Sequence, residues 1–452
     1  MQKLDKLNID RQTLTELELF RDDTSGLNIF DILDNTITSG GRDNLKIQFQ
    51  NPFNKAIEIV NYQEALKVIC QEIEKWEIPF TKKMMDQVEM YYFSKSETVV
   101  SENMLSRYLE GMFYRFKFKD YRETAVDGTK STLYFVIILS NYFRKNFSNQ
   151  LSTLLESLNK SVVDILNEKD LQKVINIEDI NSLGFLDLIT IDQIFRSKYK
   201  IKMSILIEAV YKLDGLLSMA KAIKKYNLIF PEIVDSEKPI LEIEGLYHLF
   251  VKNPVSNDIS YKEGKRFLFL TGPNMAGKTT FLKSCGIAVF LAQLGMGVPA
   301  KRMKISPFNA IFSSLNTTDN LSIGYSYFYS EVMRVRKAAE TLQKEKKAIM
   351  IFDELFKGTN IKDAFDGSML VINGLLKWES SMFILASHLT ELSKNIDDQP
   401  AVFFKYFDSS VDNGKPIFSY KMLDGKSNER LGLIILQNEN IENLLTPQQN
   451  AI

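Results

Sequence analysis

The sequence predicts an α-helical domain over residues 1–226, followed by an α/β domain with a mainly parallel sheet over residues 227–452. Three observations predict this order. A glycine-rich loop at residues 272–279 stands between a short apolar run and an amphipathic helix, which is the local pattern of a parallel sheet. Residues 79–226 show helical periodicity, with few prolines and no glycine-rich loop. At residues 227–231 short apolar runs separated by turns take over, so we expect the domain boundary there.

The spacing of apolar residues predicts the elements of the first domain. Asp10 is expected to cap a short helix, and Ser-Gly-Gly at residues 39–41 is expected to form a turn. Residues 133–167 carry one apolar stripe, which predicts a single long helix of a bundle or of a coiled coil. Such helices can act as a lever for the domain that follows. Further helices are predicted at residues 62–76, 84–92, 102–116 and 201–226.

Composition indicates an ordinary globular protein of two or three domains. The chain has 452 residues, 45% of them apolar and 25% charged, and a formal net charge of −1, so bulk charge does not indicate nucleic-acid binding. Cys70 and Cys285 lack metal-ligand spacing, which favours free thiols in a reducing compartment. The polar N-terminus has no signal-peptide core, and the apolar runs are too short to span a bilayer. We therefore expect a cytoplasmic protein without membrane contact.

Residues 266–286, RFLFLTGPNMAGKTTFLKSCG, fit the phosphate-loop pattern G-x-x-x-x-G-K-[ST] at every fixed position. The two glycines allow backbone N–H groups to face a phosphate, and the next helix presents its positive end to the same anion. Lys278 is expected to neutralise the β- and γ-phosphates of ATP, and the Thr279 hydroxyl to bind Mg²⁺. The alternative, a glycine-rich turn with a surface lysine, is disfavoured by the flanking strand and helix. The expected nucleotide-binding residues are Gly272, Pro273, Asn274, Met275, Ala276, Gly277, Lys278, Thr279 and Thr280.

Two later apolar strands are predicted to end in polar side chains. The first ends in Asp353, which is expected to hold Mg²⁺, and in Glu354, which is expected to orient or deprotonate the attacking water. The second ends in His388, at the edge where parallel strands meet their ligand, so His388 is a candidate γ-phosphate sensor. The alternatives are a charged strand end facing solvent and a structural histidine. Ser326 precedes a partly basic helix and can cap it while presenting N–H groups to an anion.

These motifs together resemble the ATPase domain of the MutS family of DNA mismatch-repair proteins, a branch of the ABC-type ATPases. Three upstream stretches resemble the family's helical core domain and the segment that leads from it into the ATPase domain. The resemblance therefore implies a helical core (lever) domain followed by an α/β P-loop ATPase domain. The ATPase resemblance is carried by TGPNMAGKTT (271–280), VPAKRMKI (298–305), residues 319–331, IFDELFKGTN (351–360) and ASHLTEL (386–392). The upstream stretches are residues 7–19, 33–52 and 228–248.

The resemblance implies a homodimer with composite ATP sites. Ser326 matches the signature serine that contacts the γ-phosphate of ATP held by the partner subunit, and Asn360 falls on the interface loop. His388 matches the family's γ-phosphate histidine. The implied catalytic set is Glu354, Lys278, His388 and Ser326, with Thr279 and Asp353 at the metal. Double-stranded or branched DNA and a MutL-like repair protein are the implied partners.

The departures from the family matter as much. The chain begins where the core domain of a full-length member begins, which implies a short member without the mismatch-recognition and connector domains, and with a reduced or absent clamp. Pro254 stands where the family places an aromatic residue that stacks on adenine. Ala276 and Thr279 replace a glycine and a serine, which are mild changes. The family's C-terminal dimerising helix-turn-helix is at best partial in residues 431–445.

Two functions of different class follow. The first is an ATP-hydrolysing protein that acts as an ATP-switched dimer on duplex or branched DNA in DNA repair or recombination, without the usual mismatch wedge; it would then be nucleoid-associated. The basic, aromatic stretch at residues 115–122 is a candidate DNA contact or a solvated loop. The second is an ATP-switched protein-interaction module with no direct DNA role, which the near-neutral charge favours. A third hypothesis is a small-molecule phosphotransferase, and the Asp353–Glu354 pair disfavours it.

Overall fold

The computed structural model describes residues 6–20, 26–94, 99, 101, 103–117, 126–147, 151–262, 264–315, 327–412, 415–426 and 445. The chain divides into two compact units. One, the α/β unit, comprises Met1–Ile32, Asn51–Val60 and Tyr226–Ile452, and the other, the helical unit, comprises Leu33–Gln50 and Asn61–Lys225.

The α-helices of the described residues range in length from five residues in α2 to 26 residues in α11. Single turns of 3₁₀-helix lie at Ile73–Trp76 and Ile180–Ser182, and a π-helical turn lies at Ile194–Lys198. The α-helices are α1 (Arg11–Glu16), α2 (Ile29–Leu33), α3 (Ser39–Gln50), α4 (Ala56–Gln71), α5 (Lys82–Tyr92), α6 (Met104–Lys117), α7 (Gly128–Asn146), α8 (Thr153–Leu166), α9 (Lys169–Ile175), α10 (Phe185–Gln193), α11 (Lys200–Lys225), α12 (Lys278–Gln293), α13 (Tyr327–Glu345), α14 (Ile361–Leu375) and α15 (Thr390–Asn395).

The described strands all lie in the α/β unit and form two sheets. They are β1 (Asn8–Ile9), β2 (Glu232–Ile233), β3 (Leu241–Leu246), β4 (Asn257–Ser260), β5 (Phe267–Thr271), β6 (Arg302–Ile305), β7 (Ala310–Ser314), β8 (Ala348–Asp353), β9 (Met382–Ala386), β10 (Val402–Asp412) and β11 (Lys415–Asp424). The larger sheet has the order β1-β7-β8-β9-β5-β10-β11, and the smaller one the order β2-β6-β3-β4.

The larger sheet is parallel except for β11, which pairs with β10 in the antiparallel sense. Its central strands β5, β8 and β9 are buried along their whole length, as expected for a sheet covered on both faces. The predicted fold class, a helical region followed by a mainly parallel α/β domain, is confirmed.

The N-terminal residues belong to the α/β unit, although the sequence places them in the predicted helical domain 1–226. β1 pairs with β7 at the edge of the larger sheet, through Asn8 with Ala310 and Ile9 with Ile311. Leu17 is fully buried, and an added Cβ on Gly286 of α12 would lie 2.5 Å from its side chain. A larger residue at this point of α12 would displace the Leu17 side chain. The division into domains at residue 226 itself stays a prediction.

The helical unit departs from the sequence-based prediction at two places. The single helix predicted over residues 133–167 is wrong, because α7 ends at Asn146 and α8 begins after Ser152, whose hydroxyl accepts a hydrogen bond from the Leu155 N–H. The turn predicted at residues 39–41 is also wrong. These residues start α3, and the Thr38 hydroxyl accepts a hydrogen bond from the Gly41 N–H at 2.9 Å. Short polar caps therefore set both boundaries.

Among the described residues, no helix combines the length and the apolar character that crossing a membrane requires.

Candidate nucleotide-binding site

Three neighbouring strands deliver the candidate site residues to one edge of the larger sheet. Gly272 follows β5, Asp353 is the last residue of β8, and His388 lies two residues beyond β9. The three strand ends are level, because Ala386 is the register partner of both Asp353 and Leu270. Ligands of parallel α/β sheets bind at this carboxyl edge.

The phosphate loop has the backbone that its glycines predict. Gly272 and Gly277 have φ values of 139° and 104°, in the region that favours glycine. Met275 also has a positive φ, 69°, and an exposed side chain. The Lys278 ammonium crosses the loop and donates to the carbonyl oxygens of Gly272 at 2.8 Å and Pro273 at 3.0 Å. These bonds hold the lysine charge inside the curve of the loop.

Lys278 is buried, and burial lowers its pKa, although the negative charges of Asp353 and Glu354 act in the opposite direction. A buried ammonium is poorly hydrated, so an anion that enters the loop replaces little water around it. The site is thus prepared to bind a phosphate.

Thr279 and Asp353 form the pair that suits a divalent cation. The Thr279 hydroxyl donates to Asp353 Oδ2 at 2.5 Å, and Asp353 is buried. Mg²⁺ prefers hard oxygen ligands and is usually held by one or two protein groups together with substrate phosphates. A hydroxyl and a carboxylate in contact beside the phosphate loop fit this requirement.

Glu354 and His388 meet above the phosphate loop. His388 Nε2 lies 3.1 Å from Glu354 Oε1, 3.1 Å from the Lys278 ammonium and 2.5 Å from Asn274 Oδ1. Burial and the charge of Lys278 lower the pKa of His388, and the charges of Glu354 and Asp353 partly offset them. His388 is therefore neutral near pH 7 and has one ring N–H to donate. Without a positive charge it does not form a strong ion pair with the Glu354 carboxylate.

A cavity of about 660 Å³ opens from the phosphate loop, a volume within the usual range for small-molecule sites. Besides the phosphate loop, Asp353 and Glu354, its lining contains several apolar and aromatic side chains. Pro254 is one of them, at the position where the family resemblance places an aromatic residue. These lining residues include His248, Val251, Pro254, Val255, Phe281, Phe407 and Tyr420.

Tyr420 is a site residue that the sequence analysis does not identify. It lies in an irregular part of β11, where the register shifts between Phe407 and Ser409 of β10, and its φ is 55°. Such bulges turn a side chain toward a neighbouring site. Asn257 of β4 secures the bulge, since its amide nitrogen donates to the Tyr420 carbonyl at 3.0 Å and its oxygen accepts from Met422 N–H at 2.8 Å.

The Tyr420 ring lies close to the phosphate loop, 3.5 Å from the position of an added Cβ on Gly277. Aromatic alternation in FSYKM is a weak sequence signal that many hairpin strands share, so no motif could have identified this residue.

Several residues singled out in the sequence lie elsewhere. Ser326 and most of the stretches 115–122 and 431–445 lie outside the described residues. Asn360 caps α14, where its side-chain oxygen accepts a hydrogen bond from Asp363 N–H at 3.0 Å.

The two cysteines lie away from the site chemistry. Burial in α12 raises the pKa of the Cys285 thiol, and burial raises the pKa of Cys70 to about 11. Both are inert thiols at neutral pH.

Comparison with known proteins adds to this geometry. The family model of MutS domain V matches residues 268–448. The chain is 31% identical over 246 residues to a protein of Ehrlichia ruminantium (strain Gardel) called DNA mismatch repair protein MutS, a match that covers 52% of this chain and 29% of that protein. Proteins of the same name from Thermotoga maritima and Geobacillus kaustophilus are 31% identical over 230 residues and 27% identical over 262 residues. These matches cover 50% and 56% of this chain, and 28% and 29% of the two relatives. The chain thus spans less than a third of the length of the curated relatives it matches.

Proposed function

We infer from the match of residues 268–448 to MutS domain V that the chain belongs to the MutS family, and we propose that it hydrolyses ATP at the site described above. One observation carries this proposal. Lys278, the Thr279–Asp353 pair and Glu354 line one cavity. His388 contacts both Lys278 and Glu354. Each of these features alone has a structural explanation, whereas their meeting at the carboxyl edge of the sheet matches what phosphoryl transfer to water requires.

The chemistry of the site follows from its side chains. The phosphate loop N–H groups and Lys278 bind the β- and γ-phosphates, and Thr279 and Asp353 would hold the Mg²⁺ that neutralises phosphate charge. Glu354 accepts the proton of a water molecule whose oxygen attacks the γ-phosphorus, while the bond from that phosphorus to the β–γ bridging oxygen breaks. Neutral His388 donates its ring N–H to a γ-phosphate oxygen. Ser326 is proposed to reach the γ-phosphate of ATP bound by a second copy of the chain.

We further propose that the chain works as an ATP-switched homodimer on duplex or branched DNA, in DNA repair or recombination. The names of the relatives, DNA mismatch repair protein MutS, support a DNA role, and a MutL-like protein is the partner that the family suggests. A cytoplasmic, nucleoid-associated location goes with this proposal.

The testing experiment is ATP turnover by the purified protein with duplex, mismatched and branched DNA, at about 50 and 200 mM salt. Turnover is expected to need Mg²⁺, to stop with a chelator, and to rise several-fold with DNA at the lower salt only, because phosphate contacts weaken steeply as salt increases. Absence of any Mg²⁺-dependent turnover would exclude the ATPase proposal.

An ATP-switched protein-interaction module is the second candidate. Two observations favour it: the formal net charge of −1 and an exposed apolar side of α6 in the helical unit, formed by Met104, Leu105, Leu109, Phe113 and Phe116. An apolar surface suits a protein better than a phosphate backbone. ATP turnover that no DNA changes at either salt concentration would favour this candidate over the DNA-acting dimer.

Tyr420, one of the aromatic residues that line the cavity, gives a further prediction. Tyr420→Ala is expected to raise the KM for ATP about tenfold, because stacking of a base on an aromatic ring contributes about 1–3 kcal/mol. Tyr420→Phe, which keeps the ring, should retain the parent KM within about twofold. The measurement is steady-state ATP hydrolysis, compared with GTP. An unchanged KM in the alanine variant would mean that the base does not lie against Tyr420.

A further inference from the structure

Helix α13, which follows the segment containing Ser326, is held on two sides by buried charged side chains. Glu331 and Arg334 lie three residues apart on this helix, and only 5% and 6% of their surfaces are exposed. Residues three apart in a helix lie on neighbouring turns of one side, so the two contacts act on the same part of α13. Buried charges are costly unless donors or counter-charges surround them, and both residues are surrounded.

Glu331 binds the loop that carries Glu354. Its two carboxylate oxygens accept hydrogen bonds from the backbone N–H groups of Lys357 at 3.0 Å and Gly358 at 3.1 Å. Glu354 and Phe356, just before them, have φ values of 63° and 59°. A residue other than glycine keeps a positive φ only when contacts with its surroundings hold the backbone in that conformation. Glu331 contributes to that restraint, beside the hydrogen bond of the Glu354 N–H to the Ala386 carbonyl at 2.9 Å, and so bears on where the Glu354 carboxylate lies.

Arg334 binds the N-terminal helix α1. Its guanidinium Nη1 lies 2.5 Å from Asp10 Oδ2, and Nη2 lies 3.2 Å from Asp10 Oδ1 and 2.9 Å from the Thr13 hydroxyl. Nε donates to the Ser313 carbonyl at 3.0 Å, and the guanidinium lies 3.9 Å from the centre of the Phe312 ring. Burial alone would raise the pKa of Asp10, but the hydrogen bonds and charge of Arg334 bring it below its ordinary value. Asp10 is therefore charged at neutral pH and pairs with Arg334.

Helix α1 is itself anchored to the end of β7. Glu16 Oε2 accepts hydrogen bonds from the Ser313 hydroxyl at 2.5 Å and the Leu315 N–H at 3.1 Å, and Oε1 accepts from Gln12 at 2.8 Å. The Thr13 hydroxyl also accepts from the Ser313 N–H at 3.0 Å. α1 is thus a fixed support for Arg334.

We propose that Asp10, Arg334 and Glu331 form a positioning relay for ATP hydrolysis, in which α1 sets the position of α13 and α13 sets the loop that carries Glu354. The inference rests on the proposed ATPase function. None of the three side chains lines the nucleotide cavity, so the relay acts on kcat and leaves nucleotide binding unchanged. The N-terminal residues are then part of the hydrolytic unit of the α/β domain.

Glu331→Gln and Asp10→Asn test the relay in the full chain. Both keep the size of the side chain, and asparagine still caps α1, so Asp10→Asn removes the negative charge and one of the two oxygens that Arg334 binds. Each is expected to lower kcat about tenfold, the effect of losing one charge-assisted hydrogen bond at a positioned group, while the Kd for ADP stays within about twofold. Glu340→Gln, on the exposed side of α13, is the matched control and should behave as the parent.

If Asp10→Asn fails to fold because Arg334 is left buried without its counter-charge, the double variant Asp10→Asn/Arg334→Gln removes that charge and should fold with the same low kcat. Folded variants that keep the parent kcat, or that lose ADP binding in step with kcat, would overturn the relay.

A second readout separates this inference from the ATPase proposal. Hydrogen exchange of the Lys357 and Gly358 amides, measured without nucleotide, is expected to quicken about tenfold in Asp10→Asn as well as in Glu331→Gln, and to stay unchanged in Glu340→Gln. If the parent hydrolyses no ATP, the proposed function fails, and faster exchange in Asp10→Asn still supports the mechanical link. Unchanged exchange in that variant contradicts the link whatever the turnover.

Discussion

Substitution of Glu354 by glutamine is expected to lower kcat for ATP hydrolysis by at least about 100-fold, the usual scale of a lost general base, while ATP stays bound. The amide has the size of the carboxylate but cannot take a proton from water at neutral pH. Its oxygen can keep the contact that Glu354 Oε1 makes with His388 Nε2 at 3.1 Å. Loss of a negative charge beside the phosphates also leaves the affinity for ATP unchanged or raises it.

The measurement is single-turnover hydrolysis together with equilibrium binding of a fluorescent ATP analogue. Glu379→Gln, an exposed glutamate of the same unit, is the matched control and should leave both quantities unchanged. The assignment of Glu354 is wrong if the glutamine variant hydrolyses ATP at the parent rate. A variant that loses binding and hydrolysis together would instead show that Glu354 holds the site in shape.

Substitution of Lys278 by methionine is expected to raise the Kd for ATP about 100-fold, because each hydrogen bond to a charged group contributes roughly 1.5–3 kcal/mol. Methionine keeps the apolar stem but loses the ammonium that lies inside the phosphate loop, within hydrogen-bond distance of the Gly272 and Pro273 carbonyls. The folded protein should not lose stability, because burial already penalises this charge.

Isothermal titration with ATP and thermal melting of the unliganded protein measure the two effects. Lys362→Met, on the exposed face of α14, is the control for loss of one positive charge and should bind as the parent does. Equal affinities of the parent and the Lys278→Met protein would place the phosphates elsewhere. A Tm lowered by many degrees would indicate that the lysine mainly holds the loop together.

The centre of the candidate site could be predicted from the sequence. The positions of Gly272, Gly277 and Lys278 follow from a local pattern, because the loop, its strand and its helix are consecutive in the chain and their conformations depend on short-range backbone preferences. The same holds for Asp353 and His388, each at the end of an apolar run that reads as a buried strand. That these ends lie together follows from the rule that parallel strands present one common carboxyl edge.

The other features of the site depend on contacts that form only in the folded protein. Asn8–Ile9 is too short to read as a strand and becomes one only because β7 offers a free edge about three hundred residues later in the chain. The turn of the Tyr420 side chain toward the cavity depends on a bulge that Asn257 stabilises from another sheet. Glu331 and Arg334 read as ordinary helix-surface charges until Asp10 and the loop after Glu354 surround them. In each case the deciding contact joins residues far apart in sequence, and neither local spacing nor propensity carries that information.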